Sequence, residues 1–300
     1  MSQQGSDYLR ALYQEWSGRL AANPAMTIAD LRDLFDAWSK PAFEAEGVSY
    51  KSDTIGGVPA IWAFPAGCDR TKVLLYTHGG GFAVGSADSH RKLAGHLAKA
   101  LGVTAAVLDY RRAPENPFPA QIEDAAAVYK ALLADGFKPE NMGTAGDSAG
   151  GNLAVSSVLK FRGLGLPLPA FVIAFSPWVD MELKGGTLAG NAATDALVSR
   201  ALLEGMIGMF LGANSANATN PLANPLYADF KGFPPLYIAA GSVETLLDDS
   251  IRLHGRAKAD GVKSALSIVE GMQHVFPCLA GRAPEADREI AKIAEWHRAL

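Results

Sequence analysis

An α/β fold, with a mostly parallel sheet covered by helices on both faces, is predicted for this chain by three observations. Short apolar runs alternate with amphipathic stretches from about residue 70 onward, as in TKVLLYTH followed by HRKLAGHLAKALG. The runs read as strands buried on both sides, the mark of a parallel sheet. Glycine-rich turns stand just after some of them, HGGGF at 78–82 and GDSAGG at 146–151. In such sheets ligands sit at the carboxyl ends of the strands.

Taken in order, the elements begin with two helices. Leu9, Leu12, Tyr13, Trp16 and Leu20 recur at helical spacing. Thr27 then opens TIADLRDLFDAW, with Asp30 at the capping-box position and Ile28, Leu31, Leu34, Phe35 and Trp38 as an apolar stripe. From about residue 47, GVSYKSDTIGG and VPAIWAFPA predict a hairpin closed around Gly56 and Gly57. The alternation follows: TKVLLYTH, VTAAVLDY, MGTAGD, AFVIAFSP, PLYIAAGS and SALSIVEG as strands, with a last amphipathic helix in EADREIAKIAEWHRAL. Between Pro177 and Pro234 there is no convincing strand, only a helix in TDALVSRALLEGMIGMFLG. That insertion is expected to lie over the sheet's carboxyl edge as a cover.

A chain of 300 residues buries a sizeable core and fits one large domain with an accessory layer. Its net charge of −4 comes from scattered residues, which argues against nucleic acid or an anionic membrane as partner. A small, weakly charged molecule is expected instead. The two cysteines, Cys68 and Cys278, point to a reducing compartment, and no run has transmembrane length or signal-peptide character. Cytoplasmic residence is the expectation.

Gly146, Ser148 and Gly150 form G-x-S-x-G between a strand and a helix, a turn that exposes the serine at the sheet edge. A serine hydroxyl needs a base to take its proton and a carboxylate to orient that base. His90, His96, His254 and His297 fall in helices and read as solvated or core-edge side chains, whereas His274 follows the last strand. It is the expected base. The acid is expected after PLYIAAGS, where Glu244 stands at the strand end; Asp248 is the alternative, although it and Asp249 suit a helix N-terminus.

HGGGF lacks the Lys-Ser/Thr of a phosphate loop, and Val84 replaces the third glycine of a dinucleotide fingerprint. Gly80 and Gly81 therefore read as amide donors to a carbonyl oxygen, joined by the N–H of Ala149 after the nucleophile. His78 is expected to orient that loop rather than move a proton. Arg111 and Arg112 in DYRRAPENPFPA are expected to pin a structural loop. No cofactor or metal is called for.

Together HGGGF, DYRRAPENPFPA, GDSAGGN and the loop around His274 resemble the hormone-sensitive-lipase-like branch of the α/β-hydrolases, the bacterial GDSAG-type (family IV) carboxylesterases, from about residue 45 onward. The resemblance implies an eight-stranded α/β-hydrolase sheet with a helical cap, here residues 1–45 plus an insertion at about 180–225 of a catalytic domain spanning 46–300. It implies hydrolysis of short- to medium-chain acyl esters by Ser148, His274 and Glu244, with Gly80, Gly81 and Ala149 as the oxyanion hole. It also implies homodimers paired through the last strand, which the apolar SALSIVEG permits. Where the family usually has Asp-Pro-Leu-x-Asp, this chain has Glu244-Thr245-Leu246-Leu247-Asp248. An amidase or peptidase, or a non-catalytic small-molecule receptor on the same fold, are the competing functions. Tyr8, Tyr13, Trp16, Phe35, Trp38, Met206, Met209 and Phe210 are candidates to line an apolar pocket.

Overall fold

The computed structural model describes residues 3–300. Two helices come first, α1 (Gln3–Ala22) and α2 (Ile28–Phe35). In α2 the Thr27 side chain accepts from the Asp30 N–H while the Asp30 carboxylate accepts from that of Thr27, so both orphan donors of the first turn are satisfied. Tyr13, Trp16, Phe35 and Trp38 meet ring to ring at centroid separations of 5.4 to 6.3 Å. This aromatic knot locks the two helices to each other and, through Trp38 stacked on His90, to the body.

The remaining elements alternate as the sequence predicts. They are β1 (Val48–Ile55), β2 (Val58–Pro65), β3 (Asp69–Thr77), α3 (Ala87–Leu101), β4 (Val103–Leu108), α4 (Ala120–Ala134), β5 (Met142–Asp147), α5 (Ala149–Gly163) and β6 (Phe171–Phe175). After the insertion, with α6 (Thr187–Gly190) and α7 (Arg200–Leu211), come β7 (Leu236–Gly241), α8 (Leu247–Ala259), β8 (Ser264–Val269) and α9 (Pro284–Arg298). The strands form one eight-stranded sheet in the order β1-β2-β4-β3-β5-β6-β7-β8. Only the β1/β2 and β2/β4 pairings are antiparallel. Every residue of β4, β5, β6 and β7 is buried, as helices on both faces require.

That strand order decides where chemistry can gather. β3, β5, β6, β7 and β8 are successive neighbours and all run parallel, so their carboxyl ends open along one edge. The segments after these strands hold Gly80 and Gly81, Ser148, Ser176, Glu244 and His274. Residues from position 80 to position 274 are thereby delivered to one line.

Candidate active site

Ser148 occupies the sharp turn between β5 and α5 with φ 53° and ψ −121°, a conformation disfavoured for any side-chain-bearing residue. The turn is held by the Ser148 N–H donating to the Phe175 carbonyl at 2.8 Å, and by the Trp178 N–H donating to the Ser148 carbonyl at 3.0 Å. Close packing fixes the neighbours: a Cβ at Gly150 would lie 2.1 Å from the Thr77 carbonyl oxygen. The strain thus presents the serine hydroxyl at the mouth of the sheet.

His274 meets it. Its Nε2 lies 2.9 Å from Ser148 Oγ, and its Nδ1 lies 3.5 Å from Glu244 Oε2. The latter is a charge-pair distance rather than a full hydrogen bond, a contact of the kind that tightens on approach to a transition state. Both residues are buried, His274 at 2% exposure and Glu244 at 0%. Burial, the largest single influence, lowers the imidazole pKa, but the carboxylates of Glu244, Asp195 and Asp147 together outweigh it, and the net shift is upward. Asp248 faces elsewhere, its carboxylate accepting from the Gly186 N–H. Asp249 is buried against the Val179 and Asp180 amides. Of the three acidic candidates, only Glu244 reaches His274.

Ser176, which the sequence did not single out, ties this arrangement together. Its hydroxyl donates to Glu244 Oε2 at 2.7 Å and accepts from the Val275 N–H at 2.9 Å. From the far end of the chain, the Tyr13 hydroxyl donates to the His274 carbonyl at 2.8 Å. A serine after an apolar strand, and a tyrosine on an apolar helical stripe, carry no sequence signal that separates them from ordinary core residues.

The glycine loop passes opposite. Gly80 and Gly81 have φ of +109° and +60°, and the Gly80 carbonyl accepts from the Ala83 and Val84 N–H groups, folding the loop back on itself. Among the described residues, the N–H groups of Gly80, Gly81 and Ala149 have no acceptor. Ala149 also opens the 15-residue helix α5, whose dipole places positive potential at the same point. Beneath the loop, His78 is fully buried and stacked on Tyr110 at 4.2 Å, with Nδ1 2.7 Å from the Gly79 carbonyl. Burial first, then the neighbouring His90, drives its pKa down to about 3. So weakly basic a ring is a poor proton acceptor, and its stacking and its contact with the Gly79 carbonyl make it a support for the loop.

One expectation is corrected here. His90 is neither solvated nor at the core edge: it is 2% exposed, with Nε2 3.3 Å from Oδ2 of Asp147, the residue before Ser148. Helical periodicity places it on the inner face, but the buried carboxylate that receives it lies across the fold. His96, His254 and His297 remain outside the site, contacting the Phe43 carbonyl, the Ser264 hydroxyl and the Phe171 ring respectively. Arg111 pairs with Asp124 at 2.7 Å and Arg112 donates to the Gly85 carbonyl, so the 109–120 segment buttresses the glycine loop as a structural element.

An apolar cavity of about 40 Å³ opens over Ser148. Gly80, Gly81 and His274 form its polar floor, and Trp178, Leu197, Val198, Leu202, Met206 and Leu246 are among its walls. Of the aromatic and methionine candidates only Phe35, Trp38 and Met206 reach it. Tyr13, Trp16 and Phe210 are spent on packing, Met209 is outside the lining, and Tyr8 lies under the Arg282 guanidinium at 4.3 Å. Among the described residues, no three His, Cys, Asp or Glu side chains are grouped to hold a metal ion, and no helix is long and apolar enough to cross a membrane.

Residues 74–278 match the family model described as the alpha/beta hydrolase fold, and the chain belongs to that family, on its hormone-sensitive-lipase-like branch. An esterase from the bacterial hormone-sensitive lipase family superposes with a TM-score of 0.94 at 39% identity, covering 100% of this chain and 99% of that one. An acetyl-hydrolase of Streptomyces hygroscopicus is 40% identical over 237 residues, 79% of this chain and 78% of that protein. An esterase of Acinetobacter venetianus is 35% identical over 235 residues, 78% and 77% of the two chains.

Proposed function

We propose that this protein is a serine carboxylesterase hydrolysing short- to medium-chain acyl esters, on the strength of one contact, Ser148 Oγ to His274 Nε2 at 2.9 Å. In this reading His274 removes the Ser148 proton as the hydroxyl attacks the ester carbonyl. Glu244 keeps the imidazole in the right tautomer and stabilises it once it is charged. The developing oxyanion collects the free N–H groups of Gly80, Gly81 and Ala149, donors already in place before charge appears. His274 then returns the proton to the leaving alcohol, and water repeats the sequence on the acyl-enzyme.

The cavity supports the short end of the substrate range. One water occupies roughly 10–15 Å³ of such a cavity, so about 40 Å³ admits an acyl group of a few heavy atoms without movement of its walls. Residues 1–45 and the insertion at about 180–225 act as a helical cap on a catalytic domain of 46–300, since Phe35, Trp38 and Met206 from those segments face the nucleophile. Pairing of two copies along the edge strand β8 is supported by the exposed Ile268, and cytoplasmic residence by the unpaired Cys68 and Cys278.

The test is hydrolysis of a short-chain aryl ester by the wild type and by Ser148→Ala, together with mass spectrometry of the acyl-enzyme. Loss of both turnover and acyl adduct in the variant is expected; equal turnover would sink the mechanism. For the acid, Glu244→Ala should lose far more activity than Asp248→Ala.

A further inference from the structure

The turn that carries Glu244 is gripped by the insertion. Asn191 Nδ2 donates to the carbonyls of Ser242 at 3.1 Å and Glu244 at 2.9 Å, and Thr187 Oγ1 donates to that of Thr245 at 2.8 Å. Asp195 supplies the matching acceptor. Its Oδ2 takes the Thr245 N–H at 2.7 Å and lies 3.0 Å from the Thr245 hydroxyl, while its Oδ1 takes the N–H groups of Leu197 at 2.9 Å and Val198 at 2.8 Å. Leu197 and Val198 are walls of the cavity over Ser148. A single carboxylate therefore joins the acid turn to the substrate pocket.

Thr245 stands where the Asp-Pro-Leu-x-Asp pattern carries proline. Proline has neither an N–H nor a hydroxyl, so neither contact with Asp195 could exist there. Glutamate in place of aspartate adds a rotatable bond to the acid, and the adjacent threonine adds two donors that immobilise the turn beside it. The two departures from the pattern are physically complementary.

We propose that Asp195 is a positioning residue for the acid: through Thr245 it holds Glu244 within reach of His274 Nδ1, and through Leu197 and Val198 it fixes the pocket wall to the same anchor. This rests on the reading of Ser148, His274 and Glu244 as the catalytic set. The Asp195 charge also adds to that of Glu244 and Asp147 around His274.

Asp195→Asn is the informative change. Its carbonyl oxygen can still receive Leu197 and Val198, but its amide N–H₂ then opposes the Thr245 N–H. With a short-chain aryl ester, kcat should fall about tenfold, the cost of one charge-assisted hydrogen bond. KM should stay within about twofold, because the pocket wall keeps its amide partners. The acidic limb of the kcat/KM profile should move to lower pH as a negative charge near His274 is lost. Thr245→Ser, which keeps both donors, should match the wild type, and Thr245→Pro should repeat the Asp195→Asn loss unless Glu244→Asp is introduced with it. Wild-type kcat and an unmoved limb in Asp195→Asn would overturn the proposal even if Thr245→Pro fails to fold. A Ser148→Ala enzyme that still turns over would instead remove the reading beneath it.

Discussion

The hydroxyl of Ser176 lies 2.7 Å from Glu244 Oε2, and through it the end of β6 sets the carboxylate that faces His274. Ser176 Oγ also accepts the Val275 N–H, so one side chain registers Glu244 and the His274 loop against each other. Ser176→Ala removes both contacts in a fully buried place. Turnover of a short-chain ester should fall about tenfold with KM little changed, read by steady-state kinetics; an unaltered kcat would show that Glu244 is held without it.

The pH profile carries the sign of the His274 shift. On the proposed mechanism His274 must be neutral to accept the Ser148 proton, so kcat/KM should rise as pH passes through its pKa. Burial lowers that pKa, but Glu244 with Asp195 and Asp147 raises it on balance, so the acidic limb should lie above 6.5, the ordinary imidazole value. Glu244→Gln removes the charge and leaves the desolvation, so the limb should move down in pH while the maximum rate drops.

The glycine loop meets α7 at Met206, which packs against Gly81, and two substitutions separate their proposed tasks. A Cβ at Gly80 would lie 2.3 Å from the Val84 carbonyl oxygen, which is backbone and has nowhere to go. Gly80→Ala should cost about a hundredfold in kcat, the effect of losing an oxyanion donor. Met206→Ala instead lengthens the cavity and should shift kcat/KM several-fold from acetyl toward hexanoyl esters. Rates across a series of aryl esters distinguish the two.

Asp249 makes stability depend on pH away from the site. Burial, with the neighbouring Asp180 adding to it and the Val179 and Asp180 amides opposing, raises its pKa from 3.8 to about 7. Between those values the unfolded chain has lost a proton that the folded chain retains, so this group's contribution is full below about pH 4 and is lost as pH rises to about 7. Relative to Asp249→Asn, the wild type should therefore lose on the order of a few kcal/mol between pH 4 and pH 8, measured by urea unfolding. Parallel stability curves for the two would remove this group as the cause.

The alternation of apolar runs made the sheet legible, because a strand buried on both faces has little freedom in its composition. Thr27 with Asp30, and Gly56 with Gly57, marked their turns because the local geometry demands those residue types. Leu197, Val198, Leu202 and Leu246 as pocket walls were not legible. Leu197 and Val198 fall in the stretch expected to be helical, but α7 begins only at Arg200, and Leu246 lies in the turn before α8, so helical periodicity does not say which way these side chains point. The bond from Asp195 to Thr245, 50 residues apart, is likewise invisible until the fold joins them.

The contact between the Tyr13 hydroxyl and the His274 carbonyl spans 261 residues of chain. During synthesis the N-terminal helix must wait until the chain has been made through His274 before it finds the loop it anchors. The nucleophile turn, built from neighbouring strands, can assemble well before that. The contact that steadies the His274 loop is therefore among the most non-local in the fold, and it can form only after both partners exist.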